Sequence, residues 1–199
     1  MNMSNFLAVD ASSRHLTVVA KKGEKIALRY IPDCAMKHSV VIMDEVDGAF
    51  KELAMTPSEC DFFAAVTGPG SFTGIRIGIS TVKGLALGAD RPLLGVTAFD
   101  LISYNVNSEN FCAVIDAAHS HFYAEGYGKN AFPPSYLSLE EVLSLGCPIY
   151  GFENLDLPDY HRVEIKDCLL GAVEGAKANL SADIAALYVR KSQAEEGRK

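Results

Sequence analysis

The hydrophobic positions in the first hundred residues change period several times. "NFLAV" is short and continuously apolar, and Asp10 ends it, which predicts a buried strand opening into the polar loop "DASS". "HLTVVAKKGEKIALRYI" carries two β-rich runs around Lys22-Gly23-Glu24, the pattern of a hairpin. From His38 to Ala54 the spacing becomes helical: Ile42, Val46, Phe50 and Leu53 recur at steps of three or four. Ser39 is the expected cap of that helix, and Pro57 lies beyond its end. "DFFAAVT" and "PLLGV" are again of strand length, and Thr97 can cap a helix through Tyr104. Between those two runs lies "GPGSFTGIRIGISTVKGLALG", helical in its Ile/Val/Leu spacing but broken by glycines. The order is therefore β-β-β-α-β-α-β-α.

An interior glycine costs a helix about 1 kcal/mol relative to alanine. Projected at about 100° per residue, Gly74, Gly78, Thr81, Leu85 and Gly88 share one face. Ile75, Ile79, Val82 and Ala86 share the next, and Arg76, Ser80 and Lys83 form a narrow polar strip. So narrow a polar face suits burial on two sides. Either the glycine face meets a closely approaching partner backbone, or the whole helix is buried inside its own domain.

A polar break, "NVNSEN", precedes two further strands, "FCAVID" and "SHFYAEGYG". "FLAVDASS" and "FCAVIDAAH" echo one another, each an apolar strand ending in aspartate, and the echo suggests two related subdomains. The expected division is 1–105 and 106–199. "LSLEEVLSLG" predicts a short capped helix, "PIYGF" a strand and "DCLLGAVEGAKANL" an amphipathic helix, with a charged, frayed tail from about Lys191.

Composition narrows the function classes. The 199 residues are 49% hydrophobic and 22% charged, the range of a packed globular chain. A formal charge of -7 argues against a broad basic surface that binds nucleic acid unaided. Five scattered cysteines with no C-x-x-C pair suit reduced thiols in the cytosol. No apolar run approaches the roughly 20 residues that span a bilayer, so a cytoplasmic location and no membrane contact are expected.

Three phosphate or nucleophile motifs fail at the glycine-rich stretch. Lys83 precedes its glycine, so there is no Walker A loop; Gly68, Gly70 and Gly74 are spaced G-x-G-x-x-x-G; and Ser71 lacks a nucleophile-elbow frame. Anion binding at the N-terminus of that helix stays open. No Ser/His/Asp set can be assembled from spacing alone, which leaves a protease without support.

The glycine-rich stretch, followed by "RPLLGVTAFDLI", resembles the signature of the TsaB (YeaZ) family. "FLAVDASS", "KHSVVIMDEVDGAF", "AVIDAAHSHFYAEGY" and "ALYVRKSQAEE" keep that family's order. The resemblance is strong from residue 6 to about 104 and thin beyond about 127. It implies an α/β, actin-like and Hsp70-like ATPase (RNase H-like) fold of two subdomains, each a mixed sheet flanked by helices. It also implies a non-catalytic scaffold or activator subunit in N6-threonylcarbamoylation of adenosine 37, in tRNAs reading codons that begin with A. The implied partners are a TsaD-like catalytic paralogue and a TsaE-like ATPase, with tRNA reached through the complex and a homodimer formed when the protein is alone.

The resemblance places the partner surface on the two helices, with His38, Ile42, Val46, Phe50, Gly74, Gly78, Thr81 and Leu85 as candidate interface residues. Asp10, Ser12 and Ser13 stand where an actin-like ATPase holds phosphate and Mg²⁺, as a remnant of a phosphate loop. No tightly bound cofactor is expected, and at most weak ATP or ADP binding, nucleotide being held by the partner subunits. The paralogue's metal pair, His-x-x-x-His, has no counterpart among His15, His38, His119, His121 and His161. His119 and His121 would point the same way on a strand. No metal site is expected. The family's basic pair after the second Asp-Ala is replaced by Ala118 and His119, and the stretch from about 130 to 180 is short for the family. The alternatives are an ATP-dependent kinase or hydrolase using Asp10 and Asp116, or a homodimeric interaction protein.

Overall fold

A computed structural model of the chain describes residues 4–190. Its first half builds a five-stranded sheet from β1 (Phe6–Asp10), β2 (Leu16–Lys22), β3 (Lys25–Ile31), β4 (Phe62–Val66) and β5 (Leu93–Val96), in the order β3-β2-β1-β4-β5. β1 runs antiparallel to β2 and parallel to β4, and β4 runs parallel to β5. Both faces are covered. Leu7, Val9 and Phe63 pack under helices α1 (His38–Glu52) and α2 (Phe72–Ala89), while Phe6, Ala8 and Phe62 pack with helix α3 (Ala98–Ser103). Burial on both sides explains why these strands read as continuous apolar runs and not as alternation.

The second half repeats the plan. Strands β6 (Phe111–Asp116), β7 (His121–Tyr127), β8 (Phe132–Ser138), β9 (Ile149–Gly151) and β10 (Tyr160–Arg162) give the order β10-β9-β6-β7-β8. β6 is antiparallel to β7 and parallel to β9, as β1 is to β2 and β4. The echo of "FLAVD" and "FCAVID" is thus an echo of topology. Helix α4 (Leu139–Ser144) starts with a capping box between Ser138 and Glu141, as "SLEE" predicts.

Helix α5 (Cys168–Ala176) leaves this second sheet. It joins the core of Phe6, Ala8, Phe99 and Leu101 on the far face of the first. The chain then returns along the first unit. Ser181 and Leu93 exchange backbone hydrogen bonds of 2.8 and 2.9 Å, Ile184 is buried, and the Tyr188 ring stacks on Phe72 at 4.9 Å. The tail expected to fray from Lys191 lies outside the described residues.

Two local expectations need correction. Ser39 does not cap α1: the helix starts at His38, Lys37 holds the cap position, and no side chain bonds there. The start is set by a tertiary contact instead, since the buried His38 Nε2 bonds the His15 carbonyl oxygen at 3.0 Å. His119 is not on a strand. It sits in a tight turn where Ala118, His119 and Ser120 all have positive φ (62°, 53° and 58°), so His119 and His121 are not paired across one strand face.

Candidate functional site

The glycines of α2 divide into two groups. A Cβ at Gly74 would stand 1.9 Å from the Ala11 carbonyl oxygen, and one at Gly78 would touch Ala11 and Val9 at 3.7 and 3.8 Å. Gly84 and Gly88 face open space. The close backbone approach is therefore made inside the chain, where the loop after β1 crosses the first turn of α2. Of the two readings open in the sequence, the buried-helix one describes Gly74 and Gly78.

The same correction applies to α1. Ile42, Val46 and Phe50 are 2, 1 and 6% exposed and belong to the core under the helices. His38 is 5% exposed and turned to His15. The physical reason is simple: the spacing that reveals an amphipathic helix marks its inward face, so residues chosen by it are the buried ones. The outward residues lie between them. Val40 is 72% exposed, Met43 48%, Phe72 37% and Leu87 86%.

An open groove of about 530 Å³ runs between α1 and α2, lined by Ser39, Met43, Phe72, Arg76, Ile77 and Thr81 among others. Of the expected residues, Ile42 and Thr81 line this groove, and Val46, Phe50 and the half-buried Leu85 line its continuation beside Met43 and Asp47, with the α1 residues at its floor. At one end the Arg76 guanidinium lies over the Phe72 ring at 3.8 Å, and its Nε donates to the Tyr188 hydroxyl at 3.0 Å. That end is tied to the returning C-terminal segment through Tyr188.

A second concavity of about 700 Å³ lies between the two sheets, lined by Ser12, Ser13, Arg14, His15, Gly70, Ser71, Asp116, Glu153 and Arg162 among others. Asp10 is beneath it, 1% exposed. Its Oδ1 accepts hydrogen bonds from the Ser12 N–H (2.8 Å) and Ser12 Oγ (2.6 Å), and its Oδ2 from His15 Nε2 (3.0 Å). Burial pushes the Asp10 carboxyl up, but the His15 bond and charge and the two Ser12 bonds outweigh it and hold it below its ordinary value. Glu153 is raised, by burial first and by the Asp116 charge.

Sequence spacing missed one grouping. Ser13 Oγ bonds His15 Nδ1, so Ser13, His15 and Asp10 form a connected series. The signal was there in D-x-x-S-x-H, six consecutive positions, but only the fold turns His15 back over the strand end. Ser13 Oγ also accepts the His15 N–H at 3.3 Å, which closes a local turn and sets the ring.

All five cysteines are free, and burial raises the thiols of Cys60, Cys112 and Cys168 to about 12, which makes them inert packing groups. Among the described residues no three His, Cys, Asp or Glu side chains are grouped to hold a metal ion. No described helix is long and apolar enough to cross a membrane.

Residues 30–185 match the family model described as TsaD, tRNA N6-adenosine threonylcarbamoyltransferase. The chain belongs to this family. It is 30% identical over 99 residues to the tRNA threonylcarbamoyladenosine biosynthesis protein TsaB of Bacillus subtilis strain 168, covering 50% of this chain and 43% of that one. It is 32% identical over 129 residues to TsaB of Haemophilus influenzae, covering 62% and 53%. The chain thus spans about half the length of the curated relatives it matches. The solved structure of YeaZ from Pseudomonas aeruginosa superposes with a TM-score of 0.72 at 22% identity, over 94% of this chain and all of that one, and shares the fold. That fold is the actin-like ATPase plan of two mixed five-stranded sheets with flanking helices.

Proposed function

We propose that this protein is a partner subunit for threonylcarbamoylation of adenosine 37 in tRNA, which docks a TsaD-type catalytic subunit through the groove between α1 and α2. The observation that carries the reading is the pair of outward helix faces. Val40, Met43 and Phe72 leave apolar surface exposed on the outward sides of α1 and α2, beside the groove, whereas the other exposed apolar residues, such as Ile26, Met36, Leu143 and Leu180, line no part of it. Family membership supplies the chemistry of the complex, and the groove supplies a place to join it. The chain itself then carries out no transfer step. Nucleotide and any metal are held by the TsaD-type and TsaE-type subunits, tRNA is reached through the complex, and the location is cytoplasmic. The acidic balance of the chain agrees with that division of labour.

When no partner is present, the same groove is expected to pair two copies of the chain, since a two-fold contact satisfies both apolar faces at once. The test is co-purification with the TsaD-type protein of the same cell. Wild-type chain is expected to retain it, and Met43→Glu, on the outward face, to lose it while keeping its fold. Retention by Met43→Glu and Val40→Asp alike overturns the groove as the docking face.

A further inference from the structure

In the actin-like plan a strand-end aspartate faces the cleft and a divalent cation with its nucleotide, and the residues here do not fit that group. We infer that His15 occupies the position on Asp10 that a divalent cation would need, so that the strand-end carboxylate of the first sheet is closed to metal. Three features carry this. First, both carboxylate oxygens are engaged: Oδ1 by the N–H and hydroxyl of Ser12, and Oδ2 by His15 Nε2 at 3.0 Å. Second, the carboxylate does not line the cleft. Ser12, Ser13 and His15 do, and they lie over it, leaving Asp10 1% exposed. Third, the imidazole is fixed and cannot swing aside. Ser13 holds Nδ1, Nε2 holds Asp10, His38 holds the backbone carbonyl from α1, and Tyr30 lies at a ring distance of 5.8 Å.

A magnesium ion demands oxygen ligands at about 2.0–2.1 Å in octahedral geometry and keeps several waters. Three of the carboxylate's roughly four lone-pair directions are taken, and with Asp10 1% exposed beneath Ser12, Ser13 and His15 there is no room for a hydrated ion at the remaining one. The donated proton supplies locally what the cation would: a positive pole against a buried carboxylate. Asp116, the other strand-end acid, accepts from the Ala118 N–H at 2.8 Å and lines the cleft. Glu153 lines the cleft beside it, but burial and the Asp116 charge raise the Glu153 carboxyl, which opposes a second ionised ligand there.

The test uses Mn²⁺ alone as probe, titrated into the full chain and followed by paramagnetic broadening of the Ser12, Ser13 and His15 amide signals. Asp10→Asn should leave the Mn²⁺ response of those signals the same as in the unaltered chain, because Asp10 is not a ligand. His15→Ala should tighten Mn²⁺ binding at the cleft at least tenfold, and adding Asp10→Asn to it should remove the gain. Mn²⁺ binding in wild type that Asp10→Asn abolishes overturns the inference, as does a folded His15→Ala chain with no gain. Should His15→Ala fail to fold, the wild-type and Asp10→Asn pair decides alone. None of these readouts involves the partner subunit, so the inference can fail while the docking groove stands, and the reverse.

Discussion

The two halves of the molecule start from the same six-residue pattern and use it differently. Asp10-Ala11-Ser12-Ser13-Arg14-His15 closes β1, and Asp116-Ala117-Ala118-His119-Ser120-His121 closes β6. Each aspartate accepts the N–H two residues on, at 2.8 Å in both cases. In the first half Asp10 is paired with Thr17 across the hairpin, whereas in the second Asp116 is paired with Phe122. The first loop is one residue longer. His15 therefore falls two before the partner of its aspartate, on the same face, and His121 falls one before, on the opposite face. His15 caps Asp10, while His121 stacks on Tyr136 at 4.8 Å. One inserted residue separates a sealed carboxylate from an open one.

The helices diverge as well. The first sheet carries α1 and α2, of 15 and 18 residues. At the matching places the second has α4, of six residues, and a helix-free segment over 152–159. Among the described residues, long outward helix faces, and the groove proposed for docking, lie on the first sheet.

The sharpest way to break this comparison is to delete both strand-end acids in turn. Asp10→Ala leaves the buried His15 and Ser12 without their acceptor, at a cost of about 3–5 kcal/mol, or a Tm fall of roughly 6–20 °C for a chain of this size. Asp116→Ala removes one surface turn bond, and its melting temperature should fall by no more than about 2–4 °C. Equal losses would show that the two sites are not different. The pH dependence follows the same division. The Asp10 carboxyl titrates below its unfolded value of 3.8, so its contribution is complete above that pH and is lost as acid takes the pH down through the folded value. The stability gap between the unaltered chain and Asp10→Asn should therefore be full at pH 7 and narrow below about pH 4. This is read from denaturant midpoints at pH 7, 4 and 3.

Next in size is Gly74→Ala. Its methyl would collide with the Ala11 carbonyl, and overpacking of backbone typically costs about 1–3 kcal/mol, seen as a lower urea midpoint. The smallest effect has the opposite sign. Gly84→Ala faces open space within the helix and should stabilise by up to about 1 kcal/mol. A loss at Gly84 would mean that its face is covered in solution.

Much of this architecture was legible in the sequence. The order of elements through α3 follows from apolar period and turn residues, because strands buried on both faces and amphipathic helices leave strong patterns. β8 was not legible. "FPPSYLS" contains Pro133 and Pro134, which argue against a strand, and the structure resolves this by placing β8 at the sheet edge, where a missing N–H is tolerated. β10 has three residues, too few to show any period. At the site, Asp10, Ser12 and Ser13 were found as a loop, but His15 was passed over because its role depends on the hairpin register. The outward residues Val40, Met43 and Leu87 were hidden by the helical period itself, which draws attention to the inner face.

The claim that the first half carries the partner is tested most directly by amide hydrogen exchange of the full chain, with and without the TsaD-type subunit. The account predicts added protection over residues 38–47 and 72–81, on α1 and α2, with little change over β6 to β8. Protection confined to the second sheet or to the cleft, with α1 and α2 unchanged, would contradict it.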